Sequence, residues 1–335
     1  MLRLPEFNLL EPQSLYGALT ELAEHGDQAM VIAGGTDLLP NMKHGLREPK
    51  VLISLAKIDE LKSIELDAQG DILIGAMAPL ASVAASPLVR SVAPALASAA
   101  GTVAGPQLRS MGTLGGNVML DTRCQWYNQT HFWRQSLGYC LKKDGHVCHV
   151  VENGKRCVAA ASNDTVPALT TLSAELDLES LGSKRCMPIE ELWHSDGAAN
   201  KKCAATEILT RIRIPKTPDG HRGAYVKLRD RGSIDFPILG IAVRLDLDED
   251  GLICHADQVV IALVARPTRI KGVADALHGL RPGSAEFTAA LDQVAIDARR
   301  QCRPMNNIPG DAGWRREMIK VFTRRAFGKA AGSGE

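Results

Sequence analysis

Ile32-Ala33-Gly34-Gly35-Thr36-Asp37-Leu38-Leu39 is the stretch from which the fold of this 335-residue chain is read. The apolar run Ala29 to Ala33 predicts a short strand. It ends in two glycines, a hydroxyl and a carboxylate. Glycines let backbone N–H groups approach a phosphate with no Cβ in the way, and Thr36 could donate to a phosphate oxygen. The same residues also suit a plain strand–helix turn capped by Thr36 or Asp37. A second glycine turn, Met111-Gly112-Thr113-Leu114-Gly115-Gly116-Asn117, follows an Ala/Gly-rich segment. Neither turn is GxGxxG or GxxxxGK[ST], so a nicotinamide or nucleoside-triphosphate loop is not supported.

Outward from these turns the chain alternates short strands and helices. Leu15, Leu19 and Leu22 stand at helical spacing behind a candidate N-cap, Ser14. Val51 to Leu55 and Asp71 to Ala76 read as strands, and the Ala-rich residues 87–104 as helix. Residues 174–181, 207–214 and 238–247 alternate with the strand period. A strand near 256–265 precedes helical patterns at 268–279, 284–300 and 311–328, and Pro215 to Gly220 reads as a boundary. The fold class is α+β. The formal charge of +1, from 39 Lys and Arg against 38 Asp and Glu, argues against a nucleic-acid partner. The 45% hydrophobic content argues against disorder. No apolar run reaches the roughly 18 residues of a membrane span. The segment MLRLPEFNLLEP has no signal-peptide h-region. A cytoplasmic protein with reduced cysteines is expected.

AGGTDLLP at 33–40 and MGTLGGNV at 111–118 together resemble the FAD-binding medium subunit of the molybdenum hydroxylases, the xanthine dehydrogenase and carbon monoxide dehydrogenase group. EILTRIRIP at 207–215, YVKLRDR at 225–231 and the basic helix at 314–325 extend the resemblance over essentially the whole chain. It implies a two-subdomain FAD-binding fold of the PCMH type, residues 1–57 and 58–216, and a C-terminal α+β domain, residues 217–335. It also implies that FAD lies against Ile32, Ala33, Gly34, Gly35, Thr36, Asp37 and Leu38 of the first turn and Thr113, Gly116 and Asn117 of the second. Val103, Asp164 in SNDTVPAL, Leu209 and Lys227 match further positions on the cofactor.

In most of that family the second turn runs almost directly into the Asp-x-x-Pro-Ala-Leu helix. Here residues 122–161 intervene. Between Thr122 and Cys157 lie Cys124, Cys140, Cys148 and Cys157, half of the eight cysteines, with five of the 14 aromatic residues. Six Lys or Arg against two Asp or Glu make the segment basic, a feature that could attract an acidic electron carrier. The cysteine gaps of 15, 7 and 8 residues match neither a zinc ribbon nor a bacterial ferredoxin run. On the residues alone an iron–sulfur cluster, a zinc site joined by His131, His146 or His149, and metal-free thiols all remain open. Cys186, Cys203, Cys254 and Cys302 are scattered and read as ordinary thiols.

The insert resembles the one in the FAD subunit of 4-hydroxybenzoyl-CoA reductases, through DTRCQWYNQ, FWRQSLGYCLK and CHVVENGKRC. That likeness implies a [4Fe–4S] cluster on the four cysteines. It further implies a molybdopterin-binding large subunit, a small [2Fe–2S] subunit and a ferredoxin-type donor as partners. Electrons would then pass from the donor through the cluster and FAD toward molybdenum, and the substrate site would lie in the large subunit. Two other readings stand beside it. One is a hydroxylase FAD subunit working oxidatively on another aromatic or N-heterocycle. The other is a non-catalytic assembly module with a zinc-stapled loop. WRREMIKVFTRRAF at 314–327 reads as an amphipathic closing helix with a solvated basic face. RDRGSIDF at 229–236 reads as shaping the flavin edge or a subunit contact. Glu190 and Glu191 are adjacent and form no acid–base dyad.

Overall fold

The computed structural model describes residues 2–332. The chain starts with β1 (Asn8–Leu10), α1 (Leu15–His25), β2 (Ala29–Ile32), α2 (Leu38–Lys43) and β3 (Val51–Ser54). These strands form a parallel sheet in the order β1-β3-β2. Ser14 caps α1, its hydroxyl accepting from Gly17 N at 3.1 Å. The apolar stripe Ala18, Leu19 and Leu22 then packs with Val51 and Ile53 of β3. β2 ends in the Gly34-Gly35 turn that leads into α2.

A second sheet follows, built from β4 (Ile64–Leu66), β5 (Ile72–Gly75), β6 (Glu175–Ser180), β7 (Ser183–Pro188) and β8 (Ile208–Ile214) in the order β4-β5-β8-β6-β7. Every pairing in it is antiparallel. Between β5 and β6 run α3 (Leu80–Ala85), α4 (Pro87–Val92), α5 (Pro94–Thr102), α6 (Pro106–Met111), α7 (Leu114–Val118), α8 (His131–Ser136) and α9 (Thr165–Thr171). The helix expected over 87–104 is two helices. Pro94 has no N–H to continue the first and instead starts the second at its first turn. The alanines of α5 share one core with Ile74 and Ile212 of the sheet and Val166 of α9, and α5 itself packs on α3, α4, α9 and the strand His221–Leu228. Helix α8 lies in the cysteine insert.

The last sheet holds β9 (His221–Leu228), β10 (Leu239–Leu247), β11 (Ile253–Ile261) and β12 (Thr268–Arg269), antiparallel in the order β12-β11-β10-β9. The helix expected over 268–279 is shorter. Thr268 and Arg269 pair with β11, and only α10 (Val273–Leu277) coils, after Gly272 at φ 81°. Helices α11 (Ala285–Gln301) and α12 (Ala312–Ala331) cover the sheet through Phe287, Leu291, Ile319, Phe322 and Phe327. The solvated basic face expected for α12 is interrupted by Arg315, which is fully buried. Its guanidinium donates to the carbonyls of Met305 at 2.7 Å and Ile238 at 3.2 Å and to that of Ala262. Those bonds tie α12 to the loops before it. Among the described residues no helix is long and apolar enough to cross a membrane.

Candidate functional site

The two glycine turns meet. A Cβ built on Gly34 would stand 1.8 Å from the carbonyl oxygen of Met111, so only glycine allows this approach. Gly35 has φ 68°, a conformation that side chains with a Cβ rarely adopt. Across the junction, a Cβ on Gly116 would touch the Ala33 side chain at 3.9 Å. Gly34 and Thr36 make no hydrogen bond to any described residue, which leaves their N–H groups and the Thr36 hydroxyl free for a ligand. In the second turn the polar groups are occupied internally. Thr113 caps α7 by accepting from Gly116 N at 3.0 Å. Asn117 Oδ1 accepts from Thr165 N at 3.1 Å and the Thr165 hydroxyl at 2.7 Å, joining α7 to α9. Asn163, fully buried, donates to the carbonyls of Asn117 and Val118 at 2.7 and 3.0 Å.

Asp164 stands at the start of α9, and its carboxylate meets the third sheet. Tyr225 donates to one oxygen at 2.7 Å and Lys227 to the other at 3.0 Å. Burial pushes the Asp164 carboxyl up and the Lys227 ammonium down, against the attraction between them. Lys227 also donates to the carbonyl of Thr102 at 3.2 Å, next to Val103, so Asp164, Lys227 and Val103 share one neighbourhood. Leu209 sits in β8 with its side chain in the core it shares with the alanines of α5. The segment 229–236 folds over the same place, for Ile234 N and the Ser233 hydroxyl both donate to the carbonyl of Ala104, at 3.1 and 3.2 Å. Ala104 at φ 42° and Ile234 at φ 59° are both held in the left-handed region, a strain that clusters at ligand sites. Sequence reading missed Ala104, Asn163 and Tyr225. Their roles arise from contacts across roughly 45 to 130 positions of chain, for which no local pattern exists.

The insert opens beside the first turn. Arg123 exchanges backbone hydrogen bonds with Ala160, at 2.8 and 2.7 Å, so the two ends of the insert touch. Its guanidinium reaches Asp37 at 2.9 Å and stacks on Phe236 at 3.7 Å. Burial raises the Asp37 carboxyl even so, with Arg123 opposing. Cys124, Cys140, Cys148 and Cys157 all line one pocket, together with Trp126, Tyr127, Lys142, His149 and Val150. Cys124 and Cys157 are buried, and burial pushes the Cys124 thiol up to about 11 and the Cys157 thiol up as well. Cys124 and Cys157 belong to one small buried cluster, and Cys140 packs against it. His149 Nε2 is engaged with the carbonyl of Tyr139 at 2.6 Å, and His131 with the Tyr139 hydroxyl at 3.3 Å. Among the described residues no group of three or more His, Cys, Asp or Glu side chains is arranged to hold a metal ion.

The basic character of the insert differs from the expectation. Arg123, Arg134 and Lys142 turn inward, onto Asp37, Asp144 and Asp121, with side chains 21%, 1% and 2% exposed. Half of the six cations are therefore structural ties. Of the insert's aromatic residues, Tyr127 is buried, while Phe132 is 80% exposed.

Residues 5–217 match the family model described as the FAD binding domain in molybdopterin dehydrogenase, and residues 224–330 the CO dehydrogenase flavoprotein C-terminal domain. The carbon monoxide dehydrogenase medium chain of Hydrogenophaga pseudoflava is 27% identical over 327 residues, 97% of each chain. The nicotinate dehydrogenase FAD-subunit of Eubacterium barkeri is 27% identical over 277 residues, 82% of this chain and 80% of that one. The solved structure of the Hydrogenophaga pseudoflava carbon monoxide dehydrogenase superposes with a TM-score of 0.80 at 25% identity, covering 99% of this chain and 100% of its own.

Proposed function

The chain belongs to the family of FAD-binding subunits of molybdopterin dehydrogenases, and from that premise we propose that it carries both FAD and a [4Fe–4S] cluster as an electron-transfer subunit of a molybdenum oxidoreductase. The FAD assignment to individual residues rests on the meeting of the two turns. Gly34 and Thr36 would hold the pyrophosphate with groups that have no internal partner, and the absence of a Cβ at Gly34 lets the two turns meet there. Ile32, Ala33, Gly35, Asp37 and Leu38 complete that turn, and Thr113, Gly116 and Asn117 brace it. Val103, Leu209 and Lys227 are assigned to the flavin side. Asp164 is assigned a supporting place there, since both its oxygens are taken by Tyr225 and Lys227.

One observation carries the cluster reading. Four cysteines separated by gaps of 15, 7 and 8 residues converge on a single pocket, and the other four do not join them. The donor set fits: four thiols and a largely apolar wall suit a thiolate-bound iron–sulfur centre, which is wider than a single ion. Loading would require the thiols to ionise, and burial of Cys124 and Cys157 opposes ionisation without a cation, so uptake should release protons. When bound, FAD stores two electrons and releases them singly, while the cluster moves one at a time. The protein's share is position, exclusion of water and fixed charge.

With the cluster, the subunit resembles that of 4-hydroxybenzoyl-CoA reductases. Its partners would be a molybdopterin-binding large subunit, a small [2Fe–2S] subunit and a ferredoxin-type donor. A second reading, a hydroxylase subunit working oxidatively, is favoured by the relatives, which are named as dehydrogenase chains. Anaerobic purification with iron, sulfide, zinc and flavin measured together tests the proposal. About four irons and four sulfides per chain are expected. One zinc with no sulfide would sink it. Faster reduction of the complex by NADH than by ferredoxin would favour the second reading.

A further inference from the structure

We propose that Lys142 is a positioning and charge-compensating residue for the four-cysteine pocket, an inference that rests on the iron–sulfur reading above. Lys142 lies between Cys140 and Cys148, lines the pocket, and has a side chain only 2% exposed. Its ammonium donates to Asp121 Oδ1 at 2.7 Å, to the carbonyl of Gly197 at 2.8 Å, to the carbonyl of Thr122 at 3.3 Å and to the Thr122 hydroxyl. It also stands 4.7 Å from the centre of the Tyr127 ring.

Asp121, Thr122 and Tyr127 stand within three residues of Cys124 in the chain, and Gly197 is bonded to Cys157 across the fold. Thr122 lies two residues before Cys124, and Tyr127 N donates to the carbonyl of Cys124 at 3.0 Å. Gly197 N donates to the carbonyl of Cys157 at 2.8 Å, and Asp196 accepts from Cys157 N at 3.2 Å. Lys142 itself is two residues from Cys140. One buried ammonium thus fixes the backbones of Cys124, Cys140 and Cys157 relative to each other.

Its charge has a second consequence. Arg47 also pairs with Asp121, at 2.9 Å. Lys142 is the cation that lines the pocket; the Lys201 ammonium also acts on Asp121, and the Asp196 carboxylate acts on Cys157 from the other side. A thiolate-bound cluster becomes more negative when it takes up an electron, and a fixed cation in a poorly hydrated setting favours that reduced form. Lys142 should hold the midpoint potential up, and Asp121 should hold it down.

The test uses the full chain with its cluster reconstituted anaerobically, the midpoint potential being read by spectroscopic redox titration. Lys142→Met should shift the potential negative and lower the iron bound per chain, and Lys142→Arg should restore both toward the parent. Asp121→Asn, which keeps the ammonium, should shift the potential positive. Should Lys142→Met fail to fold, the sign of the Asp121→Asn shift decides the matter. Variants with the parent's iron content and potential overturn the role of Lys142 while leaving the cluster intact. A parent chain that takes up no iron and sulfide overturns the cluster reading and this inference together.

Discussion

Gly34 is the residue on which the junction of the two turns depends. A methyl group there would stand 1.8 Å from the Met111 carbonyl oxygen, and backbone cannot rotate aside as a long side chain can. Gly34→Ala should therefore push the two turns apart. We expect a cost of about 1–3 kcal/mol in urea unfolding, as for overpacked sites, together with loss of bound flavin on gel filtration. An alanine variant that keeps its flavin and its stability would show that the turns need not touch. Thr36 and Asp37, neighbours in sequence, have different fates. Thr36 is without an internal partner, whereas Asp37 is claimed by Arg123 and Asn41. The identity of these residues was legible as a loop suited to phosphate. That Asp37 is neutralised from 86 residues away was not.

The insert behaves as an element with its own closure. Its ends pair through Arg123 and Ala160, and its interior is held by Arg134 on Gly45, at 3.0 Å, and by Lys142 on Asp121. Replacing residues 125–158 by a short Gly/Ser linker should leave the flavin-to-protein ratio unchanged and abolish iron uptake. Melting temperature should fall, because the buried contacts of Tyr127, Arg134 and Lys142 go with the segment. Loss of flavin with the insert would place part of the flavin site within it. Among the ordinary elements, α1, β6, β8 and β10 lie where the apolar spacing places them. β12 does not, because a two-residue strand is decided by its neighbour β11 and leaves no period of its own. Pro94 had marked the break between α4 and α5 in plain view, but the alanine-rich composition on either side masks it.

At the scale of the molecule, three sheets are stitched by buried polar contacts more than by sequence neighbours. One such stitch joins α9 to β9 through Asp164, Tyr225 and Lys227, with the Asp164 and Lys227 side chains 3% and 2% exposed. Burial outweighs attraction at both charges, so the pair adds specificity more than stability. Lys227→Met alone should cost about 3–5 kcal/mol, since it strands the carboxylate in the interior. Asp164→Asn combined with Lys227→Met should recover part of that loss, and a chemical-denaturation double-mutant cycle measures the coupling. Strict additivity would mean that the pair does not act as one unit. The amino-acid sequence by itself determined the α+β class, the glycine turns, the family resemblance and the crowding of half the cysteines into one segment. All of these reside in local spacing and residue type. Only the tertiary structure decided that the two turns abut, that the four cysteines reach one pocket, and that the insert's cations point inward. Such contacts are set by packing between segments far apart in the chain, where burial selects a partner for each charge and sequence spacing carries no record of the choice.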